Sequence, residues 1–382
     1  MFLVIIRTGD KKMKKIGLIL STFLFMLSGC KTEKTLNRYQ AQSMSAGFDT
    51  VMTLIAYSES EEEFGQYFKF MVDEFIRYNA LFDKYNDYEG VNNIKTINDN
   101  AGKQPVEVDE DIIEMLLLSK EFSQLSNNQF DITMGPVLEI WHNYRDAGLI
   151  AMENGEPTQI PTTEELEQAK ACVGWENVEI DEEKNTVYLT QECASLDVGS
   201  VAKGFATEKI AQELIEKGLT SGIINAGGNL RSLGNKPDGS GWNSGIQDPS
   251  LLGSSETIGI IPVSNNQSFV TSGDYQRFYL YDKQIMHHII DPSTLFPARH
   301  ARSISIVTDN SAIADICSTT LYTMPYEEAV QLIDKIKELG YNLEAVWVFD
   351  ENTEMPKEAE TFMTKGYTMT ITDGLKDIFI KQ

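Results

Sequence analysis

Apolar residues recur every three to four positions across 61–80, at Phe64, Tyr67, Phe68, Met71, Val72, Phe75 and Ile76. That is the period of an amphipathic helix. The same spacing at Ile112, Ile113, Leu116, Leu117 and Phe122 predicts a helix over 109–125. From Asp197 to Lys217 a tight turn leads into a helix with Val201, Ala202, Phe205, Ile210 and Leu214 inward, and further helices are expected near 311–323 and 326–339. Short apolar runs at 51–57, 186–190, 221–225, 303–308 and 343–349 have the length and β-branched content of strands, as does the alternating 367–372. The polar stretch 151–165, with Pro157 and Pro161, reads as an insertion or lid-like loop. Strands and helices mix without a regular βαβ order and without an internal repeat. The expected class is α+β, with mixed sheets packed against helices in two lobes that share a cleft.

The N-terminus has a different pattern. Lys11, Lys12, Lys14 and Lys15 precede an apolar run from Ile16 to Leu27 that ends in Leu27-Ser28-Gly29-Cys30. A basic region, a short apolar core and small residues at the exit make a secretory signal over 1–29. Cys30 after Leu-Ser-Gly resembles the bacterial lipobox, which implies lipidation of Cys30 and a tether over 30–46. Met13 offers an alternative start to Met1. The expected location is the bacterial cell membrane, lipid-anchored on its extracytoplasmic face.

Composition changes the picture in two ways. The net charge is −25, from 57 acidic and 32 basic side chains, and cleavage before Cys30 would make the chain four charges more negative. Such a surface repels polyanions, which argues against nucleic acid as a partner. An anionic small molecule then needs local help from a cation or a helix N-terminus. Beyond Cys30 there are three cysteines, Cys172, Cys193 and Cys317. An odd number implies no disulfide framework, and the three are expected to be buried small hydrophobes.

Five segments can carry chemistry. In Asp197-Val198-Gly199-Ser200-Val201-Ala202-Lys203-Gly204 a turn opens a helix, and free N–H groups there with Lys203 suit a phosphate. An ordinary helix cap would look the same. Asn225-Ala226-Gly227-Gly228-Asn229 follows a strand, and its paired glycines allow close backbone approach or simply a turn. Thr271-Ser272-Gly273-Asp274-Tyr275-Gln276-Arg277 sets small and acidic residues beside an arginine. His287-His288-Ile289-Ile290-Asp291-Pro292 holds two of the four histidines, with His300 close behind, and a histidine three residues from a carboxylate suits proton transfer. In Ala314-Asp315-Ile316-Cys317-Ser318-Thr319, Asp315 and Thr319 share one helix face, a carboxylate and a hydroxyl of the kind that hold Mg²⁺.

In this order the segments resemble the FAD:protein FMN transferase family of the ApbE type. The match begins at Phe48-Asp49-Thr50 and runs through Phe82-Asp83-Lys84-Tyr85, Ile97-Asn98, Phe130-Asp131-Ile132-Thr133-Met134-Gly135-Pro136 and Leu138–Trp141 to the five segments above. The resemblance implies a T-fold-like domain over 47–382 around a flavin cleft. It also implies Mg²⁺-dependent cleavage of FAD, attachment of FMN by a phosphoester bond to a Thr or Ser of a target flavoprotein, and release of AMP. The target it points to is a subunit of a membrane redox complex. By the family pattern Mg²⁺ falls to Asp315, Thr319 and a backbone carbonyl in the Gly199-Ser200 turn. The flavin nucleotide falls to Asp49, Thr50, Tyr85, Asn98, Asp197, Lys203, Gly227, Gly228, Asn229, Ser272, Asp274 and Arg277. Asn229 stands where many members carry Asp, and Asp49-Thr50 where many carry Gly-Thr. His288 is the candidate base, with Asp291 or a metal-bound water as alternatives. Two other readings remain open from sequence: an FAD pyrophosphatase releasing FMN and AMP, and a flavin-binding lipoprotein without chemistry.

Overall fold

The structure, a computed structural model, describes residues 35–250, 256–357 and 359–382. The signal, Cys30 and Met13 lie outside the described residues. In chain order the first elements are β1 (Asn37–Ser43), β2 (Met52–Ser58), α1 (Glu61–Phe82), α2 (Ile94–Asp99), β3 (Val106–Glu107), α3 (Glu110–Leu125), α4 (Gly135–Asn154) and α5 (Thr163–Lys170). Then come β4 (Val178–Asp181), β5 (Thr186–Leu189), α6 (Ala202–Glu216), β6 (Gly222–Ala226), β7 (Asn229–Leu233), β8 (Trp242–Gln247), β9 (Thr257–Val263) and β10 (Ser268–Gly273). The chain continues with β11 (Phe278–Tyr281), β12 (Gln284–His287), β13 (Ser303–Thr308), α7 (Ser311–Tyr322), α8 (Tyr326–Glu338), β14 (Leu343–Asp350), β15 (Thr361–Thr364), β16 (Tyr367–Ile371) and β17 (Ile380–Lys381).

A nine-stranded antiparallel sheet, ordered β1-β2-β6-β7-β10-β13-β14-β16-β15, forms the centre. Alternation along its strands splits the core into two layers, since successive side chains leave opposite faces. Leu54 and Ala56 of β2, Ile304 and Ile306 of β13, and Ala345 and Trp347 of β14 join the main core. There α1, α6, α7 and α8 cover the sheet. Ile55, Val307, Val346 and Val348 point the other way, into a second core closed by Trp242, Ile246, Ile258 and Ile261 of β8 and β9. A sheet covered on both faces explains why every residue of β13 is buried. The strand at 367–372 is β16, and it pairs with β14.

Residues Leu36–Gln382 form one compact unit of α+β type. A third, smaller core joins α4, α5 and the β11–β12 hairpin through Val137, Trp141, Leu166, Tyr279, Met286 and Leu295. Trp141 is fixed in it by donating Nε1–H to the Leu295 carbonyl at 2.8 Å. This satellite core supplies the second wall that the sequence suggested as a lobe.

Three expectations are corrected. The stretch 30–46 is not tether throughout: Asn37–Ser43 is β1, in register with all of β2. Its alternating exposed and half-buried residues suit an edge strand with one wet face. The stretch 151–165 is loop over 155–162, with both prolines, but helical at its two ends: α4 continues to Asn154, and α5 opens with a capping box in which Thr162 and Glu165 satisfy each other's backbone N–H. The loop is pinned by Thr158 Oγ1 to the Leu280 carbonyl and by Tyr279 OH to the Gln159 carbonyl. Finally, Cys172 and Cys193 form a disulfide, while Cys317 is buried and free, as expected. The odd count misleads because one cysteine packs as a hydrophobe and leaves a pair.

Candidate functional site

Helix α6 starts from a turn built by its neighbours. Asn98 grips the backbone of Leu196 on both sides, donating Nδ2–H to its carbonyl at 3.0 Å and accepting its N–H at 2.8 Å. The next residue, Asp197, donates its N–H to the Ile132 carbonyl and accepts the N–H of Gly199. The turn is therefore held rigid while Gly199 stays exposed and Ser200 half-buried. Among the described residues the N–H groups of Ser200 and Lys203 and the Ser200 carbonyl take no hydrogen bond. Open N–H groups at the start of a helix attract anions.

The N–H of Gly204 does have a partner, Oδ2 of Asp315 on α7, at 2.8 Å. The Lys203 ammonium stands 3.6 Å from Oδ1 of the same carboxylate. Burial pushes the Asp315 carboxyl above its ordinary pKa, against the pull of Lys203 and the Gly204 N–H. It is a carboxylate short of positive charge. One turn further, Thr319 keeps its hydroxyl free among the described residues, whereas Ser318 and Thr320 spend theirs on the carbonyls of Asp315 and Ile316. Back-bonding of that kind is what helical Ser and Thr usually do. Ser272 reaches this face too, through a 2.9 Å hydroxyl contact with Ser318.

The paired glycines lie beside this face. Gly227 and Gly228 both have positive φ, 58° and 93°, and link β6 to β7 in a two-residue hairpin, the geometry that favours glycine at both positions. Thr50 packs against the turn so closely that a Cβ on Gly227 would sit 2.0 Å from its Oγ1. Asp49 is exposed, at a positive φ of 49°. Asn229 is fully buried: its Oδ1 accepts from Ser311 Oγ at 2.6 Å, and its Nδ2 is left without a hydrogen bond.

The histidine segment begins at the last residue of β12. Side chains of His287 and His288 serve different sides of the chain. His287 is structural, with Nε2 on the Ala298 carbonyl and Nδ1 accepting from Ile289 N–H. His288 has no hydrogen bond to its buried Nδ1. Burial first, then the charges of His287, Arg277, Arg145 and His142, push its pKa down to about 3. It is a neutral imidazole across the physiological range.

Several sequence candidates are committed to the fold. Both Asn98 amide groups are spent on Leu196. Asp274 pairs through Oδ2 with Arg302 at 2.6 Å, not with the exposed Arg277. It lies on the His287 side, in a cavity of about 450 Å³ shared with Arg299 and His300. Asp291 is the hub of its own turn: Oδ1 accepts the N–H and hydroxyl of Ser293, and Oδ2 faces His300 Nε2 at 3.9 Å. Asp197 Oδ2 pairs with Lys84 at 2.7 Å. Burial raises that carboxyl, but Lys84 and His142 outweigh it and hold Asp197 below its ordinary value.

Sequence reasoning missed two residues at the cleft. Lys84 has a role beyond its place in a motif, touching both Asp197 and His142 Nδ1. His142, the one histidine outside the 287–300 group, accepts from Tyr85 as well. Nothing in the local pattern of α4 marks it.

A buried, undercharged carboxylate beside an open helix N-terminus defines a site for a phosphate-bearing ligand. The comparisons give the family. The ApbE family model matches residues 48–346, and the chain belongs to that family. A Treponema pallidum (strain Nichols) protein named FAD:protein FMN transferase is 29% identical over 272 residues, 68% of this chain and 71% of that one. One of the same name from Klebsiella pneumoniae (strain 342) is 27% identical over 253 residues, 65% of this chain and 74% of that one. The crystal structure of the ApbE protein from Thermotoga maritima MSB8 superposes with a TM-score of 0.68 at 27% identity, covering 81% of this chain and 94% of that chain.

Proposed function

We propose that this chain is an FAD:protein FMN transferase. The observation that carries the reading is the Asp315 carboxylate held against the first turn of α6 by Gly204, with open N–H groups and Lys203 beside it. Family membership supports it, as do relatives bearing that name.

The oxygen donors suit Mg²⁺: one buried carboxylate from Asp315, the free hydroxyl of Thr319 and the unpartnered carbonyl of Ser200. A hard cation takes oxygen ligands of this kind and keeps waters and substrate phosphates for the rest. When bound, such an ion would neutralise charge on a pyrophosphate as it is cleaved. The protein's own part is positioning. The Ser200 and Lys203 N–H groups and the Lys203 ammonium hold the phosphates, and α7 fixes their distance from Asp315. His288, neutral and unpartnered at Nδ1, takes the proton of the acceptor hydroxyl. That oxygen then bonds to the phosphorus of the FMN half, the bond to the AMP phosphate breaks, and AMP leaves with the electron pair.

We extend the proposal to location. Lipidation at Cys30 would place the domain outside the cytoplasmic membrane, near a redox complex whose flavoprotein subunit supplies the Ser or Thr. The Cys172–Cys193 disulfide supports an oxidising compartment.

The test is intact-mass measurement of a flavoprotein acceptor domain incubated with residues 31–382, FAD and Mg²⁺. A gain of one FMN, abolished by EDTA and in Asp315→Ala, is the expected result. AMP and free FMN without an adduct would favour a pyrophosphatase. Intact FAD would favour a binding protein.

A further inference from the structure

Helices α6 and α7 are tied together twice, in opposite senses. The Gly204 N–H of α6 donates to the Asp315 carboxylate of α7. One turn away the roles reverse: the N–H of Ser311, the first residue of α7, donates to Glu208 Oε2 on α6 at 2.7 Å. Positions 204 and 208 are four apart, as are 311 and 315, so each pair shares one helix face. A single tie would let α7 pivot about it. Two ties about 6 Å apart along each helix fix its direction as well.

Glu208 is itself held. It is buried with Arg231 of β7, whose Nη2 and Nε donate to its two carboxylate oxygens at 2.8 Å each. Gln212 adds a third donor to Oε1 at 3.0 Å. Two residues before Arg231 on the same strand, Asn229 accepts the Ser311 hydroxyl. Both polar hydrogens of Ser311 are therefore gripped by groups anchored on β7.

Capping a helix would be an ordinary task for a carboxylate in this place, but α7 is already capped. Asn310 accepts the N–H groups of Ala312 and Ile313 at 2.9 and 3.1 Å. Stability is no better an account, since a buried ion pair often gains nothing over apolar residues of the same volume. What Glu208 adds is where α7 begins, and Asp315 lies one turn further on.

We propose that Glu208, oriented by Arg231, is a positioning residue that sets the Asp315 carboxylate for a divalent cation through the first turn of α7. The cation as the object of that positioning rests on the transferase reading. Groups that orient a metal ligand from behind typically govern affinity by tenfold or more.

The experiment titrates Mn²⁺, which takes the same oxygen donors as Mg²⁺, into residues 31–382 and follows the free-ion EPR signal. Two variants are compared in an Arg231→Met background. Glu208→Gln keeps an acceptor for the Ser311 N–H, and Glu208→Leu has similar volume without one. Neither leaves a buried charge unpaired, so both should fold, with thermal melts as the check; Glu208→Met takes the same place if Glu208→Leu does not fold. The Gln variant should bind Mn²⁺ within about twofold of the unsubstituted protein, and the Leu variant about tenfold more weakly. With Asp315→Asn added, the two should differ by less than twofold, because the effect passes through that carboxylate. Equal affinities with Asp315 intact, or a tenfold difference that survives Asp315→Asn, would overturn the assignment while leaving the transferase reading in place. No Mn²⁺ uptake by the unsubstituted protein would overturn the metal site of that reading, and this assignment with it.

Discussion

The backbone N–H of Gly204, in the first turn of α6, donates to Oδ2 of Asp315 on α7 at 2.8 Å. The bond is possible because the two helices cross at van der Waals distance. A Cβ at position 204 would lie 2.4 Å from the Ser311 carbonyl oxygen and 2.6 Å from Asp315 Cβ. Glycine is required here by the close approach, not by backbone conformation. Gly204→Ala should therefore separate the helices, with a loss of about 1–3 kcal/mol in stability from overpacking. Asp315→Asn keeps the volume and the acceptor for Gly204 but loses the charge. It should melt near the unsubstituted protein while FMN transfer falls by about 100-fold or more, since a charge-stabilising group contributes several kcal/mol to such a step. Thermal melts and acceptor mass gain, run on both variants, separate the two effects.

The Asn98 clamp predicts a different balance. Asn98→Ala leaves the N–H and carbonyl of Leu196 without their partner, for a loss of about 1–3 kcal/mol. The α6 turn begins at the next residue, so FAD affinity should fall along with the melting temperature. Unchanged FAD binding in a destabilised Asn98→Ala protein would mean that the turn holds its shape without the clamp.

Cys172 follows α5, and Cys193 precedes the Asp197 turn, with a sequence separation of 21. Closing a loop of that size stabilises by about 3 kcal/mol in the chain-entropy account. Dithiothreitol should lower the melting temperature of the protein and leave that of a Cys172→Ser/Cys193→Ser variant unmoved.

The two adjacent histidines set an acid limit. Burial is the leading cause in both, lowering His287 to about 4 and His288 to about 3 from the ordinary 6.5. Between those values the unfolded chain binds protons that the folded protein refuses, so stability falls as the pH drops from about 6.5 toward 4. Urea denaturation at pH 7 and pH 5 should show a loss that shrinks in a His287→Gln/His288→Gln variant. The same argument keeps His288 neutral as a base. FMN transfer should show no ionisation near pH 6.5, the ordinary histidine value, in its kcat profile.

How much of this was legible beforehand depended on the range of the cause. Helices α1, α3 and α6 announce themselves because a 3.6-residue period is local and each helix buries one stripe in the main core. At 151–165 only the two ends misled, for a related reason: the last turn of α4 leaves Met152 exposed, so the end of that helix looked like the loop that follows it at 155–162. The Thr162–Glu165 capping box was readable there. Motif positions were legible as a set, but not the task of each member. Asn98 and Asp274 look like ligand contacts in sequence and are spent on Leu196 and Arg302.

The sequence by itself determined the α+β pattern, the apolar faces of its main helices, the acidic surface and the set of segments that marks the family, because these depend on residue type and near-neighbour spacing. Tertiary structure alone decided which polar groups remain unsatisfied. Lys84 meets Asp197 across 113 positions, His142 meets Tyr85 across 57, and Gly204 meets Asp315 across 111. Whether a carboxylate is paired, undercharged or free depends on what folding brings within about 3 Å of it, and chain spacing carries no record of that distance.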